Sequence, residues 1–202
     1  MNNQEIEIKF YIRDLNRLEA RLIELGARLL QPRVLESNIR FDLPDRSLSV
    51  MNKALRLRRA EDVRLTYKGP SERRDGVQSR TEIEFSVGGF ESARQFLEAL
   101  GYVQIAVYEK FRTTYELDQT HIMLDELPYG EFVEIEGPGV NAIRLTATRL
   151  RLDWEAAVPA SYLNLFERLC AGREMDPTKL TFAALNHFKP SPEIMNVRPA
   201  DD

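Results

Sequence analysis

The stretch Glu5-Ile6-Glu7-Ile8-Lys9-Phe10 decides the fold. It sits in a segment, residues 4–13, that alternates strictly. Glu5, Glu7 and Lys9 share one face, and Ile6, Ile8 and Phe10 share the other, which is the period-2 signature of a strand. Asp14 then reads as a helix N-cap. Leu15, Leu18, Leu22 and Leu25 follow at helical spacing up to Gly26. Working outward, further extended segments fall at 34–42, 54–60, 62–69, 78–87, 104–117, 119–125 and 130–137, making eight strands with the first. A second helix fits 90–100, with Ala93, Phe96, Leu97 and Leu100 on one face. Later helices fit 141–152, 161–171 and 177–188, and the Pro-rich final dozen residues read as a loose tail.

The chain repeats one plan. Glu5-Ile6-Glu7 returns as Glu82-Ile83-Glu84, Leu25-Gly26 as Leu100-Gly101, and Thr66-Tyr67-Lys68-Gly69-Pro70 as Glu134-Ile135-Glu136-Gly137-Pro138. Four strands per half predict a closed, eight-stranded antiparallel β-barrel with a pseudo-twofold axis and flanking helices, an α+β fold. The polar faces of these strands are almost wholly ionisable. Arg56 and Arg58, Thr66 and Lys68, and Lys110 and Arg112 each line up on one strand face. So do Arg80, Glu82 and Glu84, and Glu134 with Glu136; Asp125 closes the seventh strand. The helices need apolar surface to pack on, so the charged faces are expected to point into the barrel. Single strands of this kind usually mean a solvated face; the whole set points to a wet, charged bore.

Burying unpaired charge costs several kcal/mol per ion, so such a bore must be internally paired or completed by ligands. A divalent cation would neutralise the carboxylates, and a multiply charged anion the Arg and Lys cluster. Several converging cations suit a polyphosphate better than a single carboxylate. The composition agrees. The formal net charge is −4, which argues against a general nucleic-acid binder. One cysteine, Cys170, and two histidines, His121 and His187, leave little thiolate or imidazole metal chemistry. Any metal is then a hard cation, Mg²⁺ or Mn²⁺. MNNQEIEIKF is not the pattern of a secretion signal. The longest run without Asp, Glu, Lys or Arg is 11 residues, from Ala156 to Phe166, too short to span a membrane. A cytoplasmic protein is expected.

The ordered series of motifs resembles the CYTH superfamily, the triphosphate tunnel metalloenzymes. It comprises the ExExK run, Leu55-Arg56-Leu57-Arg58, Thr66-Tyr67-Lys68-Gly69-Pro70, Arg80-Thr81-Glu82-Ile83-Glu84, Glu109-Lys110-Phe111-Arg112, Leu124-Asp125 and Gly130-Glu131-Phe132-Val133-Glu134-Ile135-Glu136. Ser161-Tyr162-Leu163 also looks like the helix that follows the family's barrel. The resemblance implies a tunnel domain over residues 1–171, followed by a C-terminal extension, 172–202. It implies that Glu5, Glu7, Asp125, Glu134 and Glu136 hold Mg²⁺ or Mn²⁺. Lys9, Arg56, Arg58, Lys68, Lys110 and Arg112 would grip phosphate, with Glu5, Glu7 and Lys9 at the catalytic centre. Arg40, Arg80, Glu82 and Glu84 are further candidates. The implied partner is a small triphosphate, not nucleic acid or a membrane, and a dimer is allowed. The implied activity is metal-dependent triphosphate hydrolysis. The alternatives are an adenylate cyclase releasing cyclic AMP and pyrophosphate, a noncatalytic polyphosphate-binding module, and a barrel scaffold held by internal salt bridges. The run 71–76 reads as a mobile solvated loop or a lid, and Trp154 as core continuing the Ile143, Ala147, Leu150 spacing.

Overall fold

The computed structural model of the chain describes residues 4–186, 188 and 190–202, with the side chain of Arg74 left out; His187 lies outside the described residues. Eight strands form a ring. In chain order they are β1 (Gln4–Ile12), β2 (Arg28–Asp42), β3 (Ala54–Arg59), β4 (Val63–Lys68), β6 (Val77–Ser86), β7 (Val103–Leu117), β8 (Thr120–Leu127) and β9 (Gly130–Glu136). Around the ring the order is β1-β9-β8-β7-β2-β3-β4-β6, closed by antiparallel pairing of β6 with β1. Exchanging β1–β4 for β6–β9 in order reproduces the same set of neighbours, as the internal repeat requires. The halves pair at β1–β9, β2–β7, β4–β6 and β1–β6; the exchange maps β1–β6 and β2–β7 onto themselves.

The apolar strand faces look outward, as the alternation predicts. Helix α1 (Leu15–Glu24), capped by Asp14 accepting from the Arg17 amide, packs Leu15, Leu18 and Leu22 into a core with Ile8, Phe10, Ile12, Ile122, Val133 and Ile135. Helix α4 (Val140–Arg149) adds Ile143 and Ala147 to that core. Its pseudo-symmetric counterpart of α1, α3 (Phe90–Ala99), covers β3 through Leu97, Ala93 and Phe90. Phe96 and Leu100, expected on the same packed face, are instead 62% and 58% exposed. No helix follows β4 as α4 follows β9, and Ile83 and Phe85 on β6 are exposed as well.

Several segments differ from expectation. A short helix, α2 (Ser47–Val50), bridges β2 and β3. The run 71–76 is not loose: β5 (Glu72–Arg74) pairs with β6 in a hairpin. Its Asp75-Gly76 turn has φ values of 52° and 88°, the left-handed pair that a two-residue hairpin needs. Trp154 does not extend α4. It opens a separate 3₁₀ turn, Trp154–Ala156, stacks edge-on to Phe10 and lies under the Arg144 guanidinium.

After α5 (Tyr162–Cys170) the expected helix over 177–188 is absent among the described residues. Asp176 instead accepts hydrogen bonds from the amide and hydroxyl of Thr178, a local turn that competes with helix. Lys179–Leu180 forms β10, parallel to Val107 and Tyr108 of β7. The final residues are anchored. Met195 and Ala200 are buried, and the Asp201 carboxylate accepts from the amides of Arg13 and Asp14.

Candidate active site

Inside the ring lies a cavity of about 350 Å³. Eight cationic and six carboxylate side chains line it: Lys9, Arg40, Arg56, Arg58, Lys68, Arg80, Lys110 and Arg112 with Glu5, Glu7, Glu82, Glu84, Glu134 and Glu136. Register explains the convergence. Lys9 on β1 stands beside Glu134 on β9, and Glu7 beside Glu136. Arg56 on β3 stands between Arg40 on β2 and Thr66 on β4, and Lys68 faces Glu82 on β6. Period-2 alternation then carries every one of these side chains to the same side of the wall.

The charges are paired, as a low-dielectric bore requires. Lys68 Nζ is 2.7 Å from Glu5 and 3.1 Å from Glu82. Arg80 bridges Glu5 and Glu7 at 2.9 and 3.3 Å. Arg56 and Arg58 meet Glu84 at 3.3 and 3.4 Å. Lys9 lies 3.1 Å from Glu134, whose other oxygen accepts from Arg112 at 2.5 Å. Burial works against the Glu134 carboxylate, but Lys9, Arg112 and Lys110 outweigh it and hold the group well below the usual carboxylate range.

The pairing is uneven, and the unevenness has a direction. Burial and the neighbouring carboxylates Glu5, Glu7 and Glu82 push Glu136 up to about 7. Glu7 is also raised, by burial and then by Glu134 and Glu5. This part of the wall carries more negative charge than its cations offset. Elsewhere the excess is positive. Burial, with Arg56 and Arg80 nearby, lowers the Arg40 guanidinium below its ordinary value. The Nε atoms of Arg40, Arg56 and Arg58 are buried without a hydrogen-bond partner. Unmet buried donors of this kind call for an acceptor.

Asp125 stands beside Arg112 across the β7–β8 register, on the same inner face, but is fully buried among the side chains that line the cavity. It accepts from Lys110 at 2.9 Å, from Arg112 at 2.6 Å and from the Tyr162 hydroxyl at 2.7 Å. Three contributors escaped the sequence reading. Glu36 on β2 is buried between Arg58 and Lys110, at 3.2 and 3.6 Å. It lies two and four residues before Asn38 and Arg40, on the same face of β2. Tyr108 lines the cavity, its phenol opposed by burial but drawn below its ordinary value by Arg56, Lys110 and Arg40. Tyr162 lines it from α5, and no strand pattern could reveal that.

A sequence model of the CYTH domain matches residues 3–148. The chain is a member of the CYTH domain family. A proposed adenylate cyclase of Methanocaldococcus jannaschii is 31% identical over 135 residues, 65% of this chain and 75% of that protein. The fold is shared with a proposed adenylate cyclase from Vibrio parahaemolyticus at TM-score 0.72, 21% identity, covering 80% of this chain and 97% of that one. It is also shared with a proposed adenylyl cyclase from Hippeastrum, described as having a dominant triphosphatase activity, at TM-score 0.61 and 18% identity over 86% of this chain and 98% of that one. The CYTH membership makes this chain an enzyme, and a divalent cation is part of that family's chemistry.

The donor set suits a hard cation. Glu5, Glu7, Glu82 and Glu136 offer only oxygen, and the raised Glu136 marks a cluster that positive charge would relieve. Among the described residues no three His, Cys, Asp or Glu side chains are arranged to hold a metal ion by themselves. A cation here would be completed by water and by oxygens of the substrate, the usual arrangement for Mg²⁺.

Proposed function

We propose that this CYTH protein binds a triphosphate along the charged cavity and hydrolyses its terminal phosphoryl group with Mg²⁺ or Mn²⁺. The observation that carries the reading is the uneven pairing. Unmet guanidinium donors at Arg40, Arg56 and Arg58 and an overcharged carboxylate group around Glu136 share one cavity. A polyphosphate anion answers the first and a divalent cation the second. Glu5, Glu7 and Glu136, with Glu82, would hold the cation, while Glu134 and Asp125 serve the cations that grip phosphate. The bound cation supplies charge neutralisation and an acidified water. Lys9, Lys68, Lys110 and the Arg side chains meet the charge that spreads over the phosphate oxygens, and they do so without reorganising. The carboxylates already paired with them keep these cations aimed before substrate arrives.

A second reading, conversion of ATP to cyclic AMP and pyrophosphate, is favoured by the Methanocaldococcus relative. Both reactions use the same charges and differ in which phosphorus is attacked. One assay separates them: inorganic triphosphate, ATP and thiamine triphosphate are offered with Mg²⁺ and with Mn²⁺, and phosphate, pyrophosphate and cyclic AMP are scored. Orthophosphate release abolished by EDTA is expected. Cyclic AMP with pyrophosphate would replace hydrolysis by cyclisation, and turnover that persists in EDTA would remove the metal from the account.

A further inference from the structure

Tyr162 lies outside residues 3–148, the stretch matched to the CYTH domain, yet it reaches the centre of the cavity. Its ring centroid is 3.9 Å from Lys9 Nζ and 5.3 Å from Lys110 Nζ, both within range of the attraction between an ammonium and a π face. Lys9 and Lys110 come from strands that are not neighbours in the ring, β1 and β7, and the ring is a contact they share. The ring itself is fixed from several directions. Its hydroxyl donates to Asp125 Oδ2 at 2.7 Å, and its edge packs on Phe132 with centroids 5.2 Å apart. Its backbone carbonyl accepts from the Tyr129 hydroxyl at 2.9 Å. The preceding segment takes part as well: the Ala160 carbonyl accepts from Lys9 Nζ at 3.3 Å. Ser161 caps the helix by accepting from the Asn164 amide, which pins the first turn of α5 against the bore.

We propose that Tyr162 is a positioning residue, whose π face holds the Lys9 and Lys110 ammonium groups at the spacing that grips a triphosphate. The inference rests on the reading of the cavity as a triphosphate site. Each lysine is also paired with a carboxylate, Lys9 with Glu134 at 3.1 Å and Lys110 with Asp125 at 2.9 Å, so the ring is a second anchor for each. The aromatic face adds an attraction on both without adding a further negative charge to compete with phosphate. An aliphatic residue of similar bulk would fill the space but leave each ammonium to its carboxylate.

The test changes the face and keeps the shape. Starting from Tyr162→Phe, position 162 is filled with phenylalanine carrying one, two and three ring fluorines, which weakens the π face stepwise. Binding of a non-hydrolysable triphosphate is measured by calorimetry with Mg²⁺ present, and thermal unfolding is followed in parallel. Affinity is expected to fall with each fluorine, by about tenfold across the series, while the melting temperature holds. A purely structural role predicts affinity that does not follow fluorination, and a flat series overturns the proposal. If the phenylalanine host is unstable, ring-fluorinated tyrosines repeat the comparison with the hydroxyl retained. A protein with Tyr162 intact that binds no triphosphate overturns the cavity reading first. Binding by that protein together with a flat series overturns only the role of Tyr162.

Discussion

Glu36 shows what a single residue contributes to this wall. Burial alone would push its carboxyl up, yet Lys110, Arg112, Arg58 and Arg56 outweigh burial and hold it at about 2. A folded value below the ordinary 4.5 means the ionised form favours the folded state. That stability is complete above about pH 4.5 and is lost as pH falls toward 2. Glu36→Gln leaves buried cations short of a partner, so a loss of about 3 kcal/mol at pH 7 is expected. The difference from the unsubstituted protein should shrink between pH 4.5 and pH 2. Denaturant titrations across that range check both statements, and equal stabilities at pH 7 would show that Glu36 holds nothing. Glu36 shares the inner face of β2 with Asn38 and Arg40, but period alone says which face a residue takes and not what it meets there. The same limit applies to Asp125. The strand pattern puts it on the inner face, but its burial there is set by Arg112, Lys110 and Tyr162, which come from other elements.

The elements themselves were largely legible, because most strands alternate cleanly and each helix of the repeat ends at a glycine. Hidden elements were those set by short-range turn chemistry or by distant contacts. The β5–β6 hairpin is of the first kind. Its Asp75-Gly76 signal lies in a charged run that resembles solvated loop, and the turn rests on Trp154, from a different part of the chain. A Cβ built on Gly76 would stand 2.9 Å from Trp154 Nε1, and its φ of 88° already disfavours a side chain. Gly76→Ala should cost about 1–2 kcal/mol, or roughly 2–8 °C in melting temperature for a chain of this size. An unchanged melting temperature would mean that the hairpin is not held against Trp154. The stretch after α5 is of the second kind. Asp176-Pro177 looks like a helix start, but Leu180 is drawn into a buried cluster with Tyr108 and Phe166, and β7 offers an edge on which it can pair.

At the scale of the whole molecule, the sequence disclosed the ring, its twofold plan and the side that carries charge. The way the chain closes around that ring was less visible. One buried cluster joins Tyr108, Leu127 and Phe132 of the ring to Tyr162, Phe166 and Leu169 of α5 and to Leu180, Leu185 and Met195 beyond it. The described part of the segment after α5 therefore packs on the ring through Leu180, Leu185 and Met195 rather than trailing from it. A chain ending at residue 171 should expose that cluster, melt at a lower temperature and bind a hydrophobic dye. A truncated protein as stable as the full one would restore the picture of a dispensable tail. The account as a whole depends on both ligands meeting inside the bore. Diffraction from crystals grown with Mn²⁺ and a non-hydrolysable triphosphate, recorded at the manganese absorption edge, tests this most directly. The account predicts an anomalous peak coordinated by carboxylates of the Glu5, Glu7, Glu82 and Glu136 group, with phosphate density against Arg40, Arg56 and Arg58. Manganese and triphosphate bound on the outer surface of the ring, with the bore left to its internal salt bridges, would contradict it.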